Sequence, residues 1–89
     1  MYNKTEIEKN LRLLEDVINR DFPNVGNETA KENIIRTKIL AEFALESLNL
    51  LEEDDFLKEV KNKIKDYLID SKKILEYKEK EFKLNYISV

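Results

Sequence analysis

Residues 29–51, TAKENIIRTKILAEFALESLNLL, decide the fold. On a helical wheel at about 100° per residue, the apolar side chains of this stretch do not keep to one stripe. Ile34, Leu40, Ala41, Ala44, Leu45, Leu48 and Leu51 share one broad face, while Ile35, Ile39, Phe43 and Leu50 cover much of the opposite side. A narrow polar strip remains, carrying Lys38, Glu42, Glu46 and Asn49. A helix that is apolar nearly all round is normally buried by neighbours on more than one side. The stretch is therefore expected to be the central helix of a small bundle, with the flanking segments packed on it.

Upstream, residues 21–28, DFPNVGNE, form the one clear loop. Pro23 pushes Phe22 out of helical geometry, and Gly26 offers a positive φ. Phe22 and Val25 are expected to fold back over the end of the bundle. Before the loop, Ile7, Leu11, Leu14 and Ile18 recur at helical spacing, with Leu13 and Val17 beside them. Two Thr-x-x-Glu patterns, Thr5 to Glu8 and Thr29 to Glu32, read as capping boxes that open the first and second helices. So short a loop makes these helices an antiparallel hairpin.

Downstream, the acidic run Glu52-Glu53-Asp54-Asp55 suits a helix start better than a helix end. It reads as the turn into a third helix, with Asp54 or Asp55 as its cap. Leu57, Val60, Ile64, Tyr67, Leu68, Ile74, Leu75 and Phe82 then share a face that runs toward Lys83. Such a helix is ~43 Å long, against ~33 Å for the second and ~22 Å for the first. It either overhangs the bundle or breaks at Asp70-Ser71 to begin a fourth helix. With no glycine or proline to force the break, the continuous helix is favoured. The expected fold is all-α, an antiparallel bundle of three long helices in a single domain, with four helices as the alternative. Residues 84–89 form a candidate flexible tail whose alternation could also add a strand to a partner's sheet.

The composition narrows the chemistry. The 89 residues include no cysteine and no histidine, so disulfides, thiolate sites, the commonest general base and the commonest transition-metal ligand are all missing. No glycine-rich phosphate loop or Ser/His/Asp set is present, and Glu42 and Glu46 lack the histidine that a di-iron bundle site needs. No enzyme and no cofactor is expected. No apolar run reaches the ~18–20 residues that span a bilayer, and MYNKTEIEK at the N-terminus is not a signal segment. A cytoplasmic location is the default expectation.

The net charge of −3 conceals an asymmetry. Residues 1–55 carry 7 basic and 13 acidic side chains, whereas residues 56–89 carry 9 lysines and 6 acids. Lys58, Lys61, Lys65 and Lys72, spaced 3, 4 and 7 apart, line one side of the third helix as a candidate basic interaction stripe. The leading functional expectation is a protein–protein interaction module, a regulator or inhibitor that occupies a partner's surface. Nucleic-acid binding through the lysine stripe is the alternative. A homodimer is expected through Ile74, Leu75 and Phe82, which an overhanging third helix leaves without partners in its own chain.

Overall fold

The structure, a computed structural model, describes the backbone of residues 2–88 and the side chains of residues 2–77. Three α-helices account for most of it: α1 (Lys4–Arg20), α2 (Glu28–Asn49) and α3 (Asp55–Ser88), with a 3-10 turn at Phe22–Asn24 between the first two. Among the described residues there is no strand. The three-helix reading holds, and α3 passes through Asp70-Ser71 without a break. Ser71 is fully buried there, and its hydroxyl donates to the Leu68 carbonyl of the preceding turn at 3.1 Å, so its polarity is satisfied inside the helix.

Both expected threonine boxes are displaced by two residues. Asn3 caps α1 by accepting from the Glu6 amide at 3.0 Å. Asn27 caps α2 by accepting from the amides of Thr29 and Ala30. Asparagine caps at least as well as threonine, and nothing between cap and box breaks a helix, so each helix continues back to the earlier cap. Of the two expected caps for α3, Asp54 takes the role, accepting from the Leu57 amide at 2.7 Å. Gly26 does not adopt a positive φ, because the 3-10 turn reverses the chain with right-handed dihedrals at its caps. The loop's apolar residues do fold back: Val25 is buried, and the Phe22 ring stacks on Tyr67 with centroids 5.7 Å apart.

The core is a single cluster of Val17, Val25, Ile34, Ala41, Leu48, Leu57, Val60, Ile64 and Tyr67. Most of its deepest residues lie on α3, joined by Ile34 of α2, which is fully inaccessible. Leu57, Val60, Ile64 and Tyr67 are all nearly inaccessible, because α3 lies against both other helices. α2 likewise touches α1, α3 and the 3-10 turn, so the three helices pack on one another and neither α2 nor α3 is surrounded. On α2 only Ala30, Ile34, Ala41 and Leu48 are buried, while Ile35, Ile39, Leu40, Phe43 and Leu50 face solvent. Two neighbouring helices cannot surround α2, and its second apolar face has no partner among the described residues.

Lengths follow from residue counts. The 34 residues of α3 span ~51 Å and the 22 of α2 span ~33 Å. The molecule is accordingly elongated, 57 × 19 × 16 Å. Since α3 returns antiparallel to α2 from the turn at residues 50–54, its far end runs past the start of α2. The backbone stays helical through Ser88, including most of the expected tail, because helical hydrogen bonds are local whereas a strand needs a neighbour.

Candidate functional site

The most site-like feature is a groove of about 590 Å³ where α1 and α2 splay apart over α3. Val60 and Ile64 of α3 form its floor. Ile7, Leu11 and Leu14 make the α1 wall, and Ala41, Ala44 and Leu48 make the α2 wall. The alanines are the local cause of the opening, since α2 presents two methyl groups where larger side chains would fill the space. Only Val17 of α1 is buried, so the rest of that helix's apolar face borders the groove half-covered. Leu13 and Leu40 form its lips, 58% and 66% exposed. Polar groups stand around it: Asn10, Asp16, Arg20, Asn33, Arg36 and Thr37. The arrangement suits a segment with apolar anchors and a polar margin. A smaller cavity of about 340 Å³ between α1 and α3 is ringed by Lys4, Glu8, Arg12, Glu15, Glu59 and Lys63, a mixed-charge lining with no apolar focus.

The lysine stripe does not survive intact. Lys58, Lys65 and Lys72 are exposed, but Lys61 is buried. Its stem packs beside the core and its Nζ lies 2.7 Å from Glu53 in the α2–α3 turn. The Lys61 hydrogen bond and charge hold the Glu53 carboxyl below its usual range, and Lys58 and Lys65 add to the effect. The stripe therefore partly neutralises the molecule's own acidic turn. Helical spacing places all four lysines on one side but does not show that Glu53 folds back onto one of them.

The acidic turn also holds the N-terminus. The Tyr2 hydroxyl donates to the Asp54 carboxylate, the Tyr2 ring stacks on Phe56 at 6.0 Å, and the Lys4 ammonium sits 4.7 Å above the Phe56 ring. Accepting from Tyr2, and from the Leu57 amide, keeps Asp54 below the ordinary carboxylate range. The same bond pushes the Tyr2 phenol up to about 12. Sequence reasoning missed this contact, because Tyr2 precedes the first helix and carries no periodic signal.

Of the expected self-association face, Ile74 and Leu75 are half-buried and pack against the core of their own chain, which covers much of what was expected to need a partner. The side chain of Phe82 lies outside the described residues. Glu42 and Glu46 are exposed on α2. Among the described residues, no group of three or more acidic, histidine or cysteine side chains converges to hold a metal. Among them, too, no helix is long and apolar enough to cross a membrane. The chain matches no protein-family model, no curated protein and no solved structure.

Proposed function

We propose that this chain is a non-enzymatic interaction module, a regulator or inhibitor that binds an amphipathic helix of a partner protein in the groove between α1 and α2. The groove itself carries this reading. Its floor and walls are aliphatic, its lips Leu13 and Leu40 are in water, and it runs beside about three turns of α1 from Ile7 to Val17. A helix laid there would complete a four-helix bundle, with anchors at i, i+3, i+4 and i+7. A small-molecule site of similar volume would enclose 70–90% of its ligand, which a trough with exposed lips does not do.

Nucleic-acid binding ranks second. It retains Lys58, Lys65 and Lys72, but the burial of Lys61 against Glu53 interrupts the row. The experiment is an affinity capture from the source cell with wild type and with Leu13→Glu/Ala44→Glu side by side. The partner expected is a protein that also binds the purified wild type and is lost with the double variant. Equal binding by the double variant, or turnover of a small molecule by the wild type, would overturn the proposal. A salt-sensitive shift of labelled DNA or RNA at micromolar protein would favour the second reading instead.

A further inference from the structure

The outward face of α2 lies on the side away from its buried residues and adjoins the groove along one edge, where Arg36 and the lip residue Leu40 belong to both. Glu32, Arg36, Ile39, Phe43, Glu46 and Leu50 follow one another at steps of 4, 3, 4, 3 and 4 residues, the a/d rhythm of a coiled-coil seam. All six are exposed. Ile39, Phe43 and Leu50 are 48%, 63% and 87% accessible. Leu50 lies just past the helix, yet its right-handed dihedrals continue the helical path. Ile35 and Leu40 flank the seam, one on each side, and are also exposed. Among the described residues, no element covers this row.

We infer that a second copy of this chain covers it, the two α2 helices pairing antiparallel about a two-fold axis between Ile39 and Phe43. The charges choose both occupant and direction. About that axis Ile39 of each copy packs on Phe43 of the other, and the next layer outward sets Arg36 against Glu46, twice by symmetry. A parallel pair would set Arg36 against Arg36 and Glu46 against Glu46. The face is thus complementary to itself reversed, which a surface evolved for an unrelated partner need not be. Arg36 is available for this, since its ion pair with Glu32 is long, at 3.9 Å, and its side chain is 76% exposed. Antiparallel pairing also opposes the helix macrodipoles. Glu42 meets its symmetry mate on the solvent-exposed rim, one turn from Lys38 of the other copy. Covering Ile35, Ile39, Phe43 and Leu50 removes an apolar area of at most about 500 Å² per copy, which the polar rim brings toward the ~800 Å² per partner of a stable interface.

Sedimentation and light scattering over micromolar to submillimolar concentration test the pairing. Wild type should weigh twice its 10.6 kDa. Phe43→Glu should weaken the dimer at least about thirty-fold while the helical circular dichroism is kept, because the side chain it replaces is already in water. Leu13→Glu, on the far lip of the groove, should leave the dimer intact. Direction is read by cross-linking, since the chain has no cysteine of its own. Mixed Glu32→Cys and Leu50→Cys chains should oxidise to a disulfide-linked pair, with little cross-linking of either alone. A wild type that stays monomeric at several hundred micromolar overturns the proposal. So does a dimer that Phe43→Glu leaves unchanged, and efficient self-cross-linking of Leu50→Cys overturns the antiparallel arrangement.

Discussion

Tyr67 is where α3, α2 and the inter-helix turn meet. Its ring is 1% exposed, Phe22 stacks on it, and its hydroxyl donates to the Ile34 carbonyl at 3.1 Å. Burial pushes the phenol up to about 12, so it stays a donor at any ordinary pH. Tyr67→Phe keeps the packing and loses one buried hydrogen bond, which should cost about 0.5–1.5 kcal/mol in chemical denaturation. Tyr2 and Asp54 give a pH prediction at the same scale. The folded Asp54 carboxyl lies below its unfolded value, so the native state binds fewer protons there. Its contribution to stability is complete above the unfolded value of ~3.9 and is lost as pH falls through the lower folded one. Tyr2 has the opposite sign, its contribution being present at neutral pH and lost as pH rises toward about 12. In Tyr2→Phe the Asp54 carboxyl should titrate nearer its ordinary value by NMR. An unchanged titration would mean that the Leu57 amide alone sets it.

Elements in this protein begin where a side chain satisfies free amides, and asparagine does this for two of the three helices. The competing threonine reading makes a different forecast. Asn27→Ala should cost about 1 kcal/mol, while Thr29→Ala should stay within about 0.5 kcal/mol, because Thr29 lies inside the helix with its amide already bonded to Asn27. Thermal melts of the two variants decide it, and a reversed order would restore Thr29 as the cap. The continuity of α3 is explained at this scale too. Ser71 bonds within its own helix and Asp70 faces water, so neither pulls the backbone away from helical geometry.

The whole molecule is small for the apolar surface it leaves in water. Leu13 and Ile18 of α1 and Ile35, Ile39, Leu40 and Phe43 of α2 are exposed to water. Association through α2 would make stability depend on concentration, since a dimer that dissociates on unfolding is favoured by mass action. The melting temperature should then rise by a few degrees for each tenfold increase in protein, given the ~4–8 °C per kcal/mol expected of a domain this size. It should be flat in Phe43→Glu. Differential scanning calorimetry at several concentrations gives the answer, and a flat wild-type profile argues against association.

Periodicity and punctuation in the sequence determined the helix count, the single clear loop, an aspartate cap at Asp54 or Asp55 and the unbroken α3. Each depends on interactions within a few residues: a 3.6-residue apolar rhythm, one Pro/Gly cluster, and a carboxylate beside free amides. The competition between near-equivalent caps, Asn27 against Thr29, was only partly legible, because both residue types do the same work. Which of the two apolar faces of α2 is buried depended on where α1 and α3 came to rest. So did the loss of Lys61 from the basic stripe to Glu53, and the opening of a groove beside Ala41 and Ala44. A helical wheel records which side chains share a direction, but only packing decides which directions find a neighbour.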